Sequence, residues 1–82
     1  MDDISKRIGA FFKTRRKELG LTQVQLARKV KLSRSCIASI ETGRQGIVLS
    51  QVPAFIQALK IDRRELGEVI ALELLKIHRV GP

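Results

Sequence analysis

The chain has 82 residues, 44% of them hydrophobic and 4% aromatic, with one cysteine and one histidine. This length allows one small domain, and a single cysteine excludes a disulfide framework. There is no apolar run of the roughly 20 residues that a membrane helix needs, and the charged start lacks the apolar stretch of a signal peptide. We therefore expect a soluble, cytoplasmic protein without a membrane segment.

The net charge of +8 is distributed unevenly along the chain. Residues 1–46 contain eleven basic and four acidic residues, a balance of +7, whereas residues 47–82 contain five and four, a balance of +1. This asymmetry favours one face that binds a polyanion and another that packs or meets partners. A generally basic protein without such a face would give the same total charge.

The hydrophobic periodicity predicts helices throughout and no strand. We expect the first helix at about residues 4–19, with Gly20 as its C-terminal stop. Thr22 and Gln25 have the spacing of a capping box, so a second helix should begin there and end near residue 30 or 31. After a turn of about three residues, Ser33 is the expected cap of a third helix at residues 34–42.

Two further helices complete the expected all-α fold. Ser50 is a candidate cap for the fourth helix, and Pro53 is tolerated in its first turn because the missing N–H has no helical partner there. The fifth helix should span about residues 63–78. No linker or repeat divides the chain, so residues 1–82 are expected to form one domain.

The second and third helices have the pattern of a helix-turn-helix unit. Ala27 is small enough to allow a close helix crossing, Leu32 fills the corner of the turn, and the third helix turns Ile37 and Ile40 inward. The outward side of that third helix is a short polar ridge that fits a major groove. Without the rest of the pattern, the same ridge would be interpreted as a solvated helix face.

The segment LTQVQLARKVKLSRSCIASIETGR resembles the helix-turn-helix of the phage lambda repressor/Cro-like family, also called the XRE family. The resemblance extends over residues 8–66 and implies a five-helix DNA-binding domain. Two positions depart from the family pattern. Lys31 replaces the usual glycine of the turn, so it must adopt a left-handed conformation or the turn must be reshaped. Ile47 and Val48 replace the usual Pro-Ser before the fourth helix.

The resemblance also implies roles for individual residues. The expected DNA base contacts are Arg34, Ser35, Ser39 and Thr42. The expected DNA phosphate contacts are Thr22, Gln23, Ser33, Arg44 and Gln45, with Gln23 also supporting base-reading side chains. Arg16 and Glu41 match an ion pair that ties the first helix to the end of the third.

The last helix is more apolar than one buried stripe requires. It can cover the core of its own domain, provide a self-complementary dimer surface, or do both with different sides. The candidate dimer-interface residues are Leu66, Ile70, Leu74 and Ile77.

Together these features predict a sequence-specific regulator of transcription that binds double-stranded DNA as a homodimer on a roughly palindromic operator. Phage repressor, restriction–modification controller and DNA-binding antitoxin remain open. The alternative is an antitoxin-type interaction module whose last helix neutralises a toxin and which binds DNA for autoregulation. Polymerase is another protein partner that the sequence leaves open. The few aromatic residues disfavour single-stranded RNA recognition. With no catalytic pair and no metal-ligand cluster, we expect no catalytic residues, no metal and no cofactor.

Overall fold

The computed structural model describes the backbone of residues 3–80 and the side chains of residues 4–71. Within this range the chain forms five α-helices and no strand, as predicted. The helices are α1 (Asp3–Glu18), α2 (Gln23–Val30), α3 (Arg34–Glu41), α4 (Val52–Ala58) and α5 (Arg63–Val80), with one 3-10 turn at Leu49–Gln51. None of the described helices is long and apolar enough to cross a membrane.

The starts of α2 and α3 are fixed by the caps that the sequence predicts. The hydroxyl of Thr22 accepts a hydrogen bond from the Gln25 amide at 3.1 Å, and the Gln25 side chain accepts one from the Thr22 amide at 2.8 Å. The hydroxyl of Ser33 accepts from the Cys36 amide at 3.1 Å. Each cap satisfies backbone donors that lack a helical partner, so the turn between the two helices is confined to residues 31–33.

The turn keeps the left-handed geometry of the family although it lacks the glycine. Lys31 has φ 60° and ψ 43°, and the Leu32 amide donates to the Ala27 carbonyl at 3.0 Å. A left-handed conformation costs a residue with a Cβ about 1–2 kcal/mol. Lys31 therefore carries the backbone strain, and the turn is not reshaped.

The core lies where α1, α2, α3 and α4 meet, and the beginning of α5 closes it. The rings of Phe12 and Phe55 stack at the centre with their centroids 4.8 Å apart. The other buried hydrophobic residues are Leu26, Ala27, Val30, Ile37, Ile40, Leu59, Ile61 and Leu66. Ile37 and Ile40 thus face inward as predicted, which leaves the opposite side of α3 to solvent.

The contact between α1 and α3 depends on a glycine that the sequence patterns do not indicate. A Cβ built on Gly9 would lie 2.1 Å from the carbonyl oxygen of Ile40, a separation at which atoms overlap. Only glycine therefore allows the backbone of α1 to approach the C-terminal end of α3 this closely.

Three expectations about the C-terminal half need correction. The prediction that Ser50 caps the fourth helix is wrong, because Ser50 lies inside the 3-10 turn and the cap position of α4 is Gln51. The last helix continues to Val80 rather than ending near residue 78. Leu66, expected at a dimer surface, is only 8% exposed and belongs to the domain core, so it offers little area to a partner.

Candidate nucleic-acid interface

The residues expected to contact DNA come from α2, α3 and the loop that follows α3. Seven of them are exposed: Thr22, Ser33, Arg34, Ser35, Thr42, Arg44 and Gln45. The remaining two, Gln23 and Ser39, are half-buried. None is locked inside the domain, so the whole set remains accessible to a ligand.

The ion pair expected between Arg16 and Glu41 is present and buried. Nε of Arg16 donates to one carboxylate oxygen of Glu41 at 2.6 Å, and a terminal nitrogen donates to the other at 3.1 Å. The two side chains are 8% and 2% exposed. Arg16 also donates to the Leu21 carbonyl at 2.7 Å. This two-pronged geometry fixes the end of α3 against α1 in both position and orientation.

Gln23 connects this buried pair to the exposed surface. Its amide nitrogen donates to Glu41 at 3.1 Å, and its amide oxygen accepts from Arg34 at 3.1 Å. Four side chains therefore form a continuous hydrogen-bonded series from Arg16 in the interior to Arg34 at the start of α3. In the free protein, this series already holds the guanidinium of Arg34 beside α2.

The hydroxyl groups at the start and at the end of α3 differ in their hydrogen bonds. The hydroxyl oxygens of Ser33 and Ser35 are 3.2 Å apart at the exposed start of the helix. The hydroxyl of Thr42 instead lies within hydrogen-bond distance of two carbonyls of its own helix, Ala38 at 3.1 Å and Ser39 at 3.2 Å. Ser35 can therefore turn toward a ligand at little cost, whereas Thr42 presents its methyl group and its lone pairs.

The loop after α3 folds back onto the outward side of that helix. The amides of Arg44 and Gln45 both donate to the Ser39 carbonyl, at 3.0 and 3.2 Å. The side-chain amide of Gln45 lies 3.2 Å from the sulfur of Cys36, a half-buried thiol. The backbone of Arg44 is thereby fixed at the C-terminal end of α3, and its side chain is exposed.

Acidic residues are nearly absent from this part of the chain. Residues 19–61 contain six basic residues and a single acidic one, Glu41, which is neutralised by Arg16. The helix-turn-helix surface therefore carries uncompensated positive charge. Such a surface attracts a polyanion.

Sequence reasoning missed some contacts that position this surface. The Gly9 approach to Ile40 joins distant parts of the sequence, and the Gln45 contact with Cys36 joins the loop after α3 to a residue nine positions earlier. Neither has a local signal comparable to a capping box. Among the described residues, no cluster of histidine, cysteine and carboxylate side chains could hold a metal ion.

Comparison with known proteins places this geometry in a family. A family profile described as a helix-turn-helix domain matches residues 7–69. The chain belongs to the helix-turn-helix domain family. The resemblance to lambda repressor/Cro-like proteins is thereby confirmed.

Similar proteins support the same assignment. The immunity repressor protein of Bacillus phage phi105 is 50% identical over 55 residues, which are 67% of this chain but only 38% of that protein. The wild-type restriction–modification controller protein C.Esp1396I superposes with a TM-score of 0.77 at 25% identity, over 93% of this chain and 99% of that one. The clp gene regulator ClgR from Corynebacterium glutamicum shares the fold, with a TM-score of 0.77 at 20% identity over 95% and 84% of the two chains.

Proposed function

We propose that this protein represses or controls transcription by binding a roughly palindromic DNA operator as a homodimer. The observation that carries the proposal is the exposed polar side of α3, held to α1 through the buried Arg16–Glu41 pair and bordered by uncompensated positive charge. The phage immunity repressor and the restriction–modification controller among the similar proteins support a repressor or controller role.

Base recognition is assigned to the outward residues of α3. An arginine can donate two hydrogen bonds to O6 and N7 of guanine, and Arg34 is exposed at the start of the helix. Ser35 and Ser39 provide shorter hydrogen-bonding groups along the same ridge. Thr42, whose hydroxyl lies against its own helix, is suited to contact a thymine methyl group.

Phosphate binding is assigned to both ends of this ridge. Thr22, Gln23 and Ser33 lie around the beginnings of α2 and α3, where backbone amides and the helix dipole favour anions. Arg44 and Gln45 occupy the loop at the far end of α3. Contacts at both ends would fix the register of α3 on the duplex without reading its sequence.

Dimerisation is assigned to the part of α5 that follows Leu66, the residue with which this helix enters the core. Val69 and Ile70 are half-buried, and Val69 borders a shallow groove beside α1 that is lined by Arg7, Ala10, Phe11 and Thr14. The side chains of Leu74 and Ile77 lie outside the described residues. Replacing both with aspartate should give a monomer in sedimentation experiments. A parent protein that is monomeric at high concentration and on DNA would contradict the homodimer.

The central experiment measures Arg34→Ala and Arg44→Ala on two duplexes, a site selected from random DNA and an unrelated sequence. We expect Arg34→Ala to cost about 1–3 kcal/mol on the selected site and to flatten preference at one base pair per half-site. Arg44→Ala should weaken binding to both duplexes alike. It should also lower the salt slope, which is the steepness with which the logarithm of affinity falls with the logarithm of salt concentration, by about one per subunit. Equal losses for Arg34→Ala on both duplexes would instead make Arg34 a phosphate ligand.

Salt dependence of the parent protein tests DNA binding itself. A dimer that neutralises about 6–10 phosphates should lose about 10³–10⁵-fold in affinity between 50 and 200 mM salt. A flat salt response would overturn the proposed function.

A further inference from the structure

We propose that Lys6, in the first turns of α1, is an additional phosphate-binding residue that acts with Arg44 across the loop at residues 43–46. The inference rests on the proposed function and extends the DNA surface beyond the helix-turn-helix to a residue of α1. The observation that supports it is the contact between Lys6 and Gly43.

The stem of Lys6 lies directly against Gly43. A Cβ built on Gly43 would be 2.6 Å from Cγ of Lys6 and 2.8 Å from its Cα. Gly43 also has φ +78°, a conformation that favours glycine. The loop can therefore pass beneath Lys6 only because Gly43 has no side chain.

The beginning of α1 is fixed at this place by further contacts. Lys6 and Gly9 are three residues apart and so share one face of the helix, and Gly9 is in close contact with the end of α3. A Cβ on Gly46 would lie 3.2 Å from the hydroxyl of Ser5. Lys6 is thus attached to a rigid junction of α1, α3 and the loop.

The same loop is the one assigned to the DNA backbone. Arg44 follows Gly43 directly, and its amide donates to the backbone carbonyl of Ser39 at the C-terminal end of α3. Lys6 is exposed, and no carboxylate within residues 4–71 pairs with it. An ammonium on a flexible four-carbon stem can reach a phosphate beside the one bound by Arg44.

The test compares Lys6→Gln with Lys29→Gln. Lys29 is a matched control, because it is exposed and lies with Gln57 and Lys60 in the crevice between α2 and α4. Dissociation constants are measured on the selected and unrelated duplexes between 50 and 200 mM salt. We expect Lys6→Gln to weaken binding to both duplexes equally and to lower the salt slope by about one per subunit. Lys29→Gln should keep the salt slope of the parent.

Two further measurements keep the result decisive. Lys6→Arg should retain the parent slope, because it retains the charge, and both Lys6 variants should keep the parent melting temperature. If the salt slope of the parent is steep and Lys6→Gln leaves it unchanged, or lowers it no more than Lys29→Gln does, the role of Lys6 is overturned. The proposed function then still stands. A flat response of the parent protein instead overturns the proposed function.

Discussion

Helix α1 packs against α3 on one side and α5 on the other, and the two contacts are built differently. Toward α3, the backbones meet at Gly9 and the side chains meet in the buried Arg16–Glu41 pair. Toward α5, the neighbouring Arg15 reaches Glu65 at the surface. Helix α3 is thus rigidly attached to α1, whereas the attachment of α5 is looser.

The two adjacent arginines illustrate this difference. Arg16 uses two nitrogens for the two carboxylate oxygens of Glu41. Arg15 uses one nitrogen for both oxygens of Glu65, at 2.7 and 2.6 Å, and the two side chains are 23% and 41% exposed. Water and salt screen the attraction between Arg15 and Glu65. The pair of Arg16 and Glu41 is buried, so removal of either partner leaves the other charge unpaired inside the protein.

The largest effect should follow from breaking the buried pair. We expect Arg16→Met to destabilise the domain by about 3–5 kcal/mol, because it leaves the carboxylate of Glu41 buried without its cation. Chemical denaturation of Arg16→Met, Glu41→Leu and the double variant measures the coupling. The double variant should recover part of the loss, and purely additive effects would contradict the pairing.

The next effect concerns the backbone approach of α1 to α3. Gly9→Ala should cost about 1–3 kcal/mol, because the new methyl group would overlap the Ile40 carbonyl and force the helices apart. Thermal unfolding provides the measurement. A variant as stable as the parent would show that the two helices are not held in close contact.

Gly67→Ala is the matched substitution in α5, and it should have the opposite sign. No atom lies within 4 Å of a Cβ built there. Alanine in an open, helical position stabilises a protein by about 0.4–1 kcal/mol, chiefly by restricting the unfolded chain. A lower melting temperature for this variant would contradict the looser packing of α5.

The smallest effect is expected from the partly exposed Arg15–Glu65 pair. A double-mutant cycle of Arg15→Met and Glu65→Gln should give a coupling of about 0.2–1 kcal/mol, decreasing as salt is added. A coupling as large as that of Arg16 and Glu41 would remove the distinction between the two contacts.

The sequence predicted best those features that depend on local signals. The capping box at Thr22 and the cap at Ser33 each involve two residues three positions apart, and the geometry of both is as expected. The Arg16–Glu41 pair spans 25 positions, and it was available only through the family resemblance. Gly9 and the Arg15–Glu65 pair were not predicted, because each depends on how distant helices meet. The expected Ser50 cap failed because a 3-10 turn precedes α4, and this turn leaves no comparable signal.

The hydrogen bond between Gln23 and Arg34 has a consequence for the cost of recognition. A long side chain that becomes immobile on binding gives up about 0.5–1.5 kcal/mol of conformational entropy. Arg34 is already restrained by Gln23, which is in turn held by Glu41, before any base is present. Part of that entropy is therefore lost when the domain folds, so the proposed contact between Arg34 and a guanine would restrict a side chain that already has fewer rotamers.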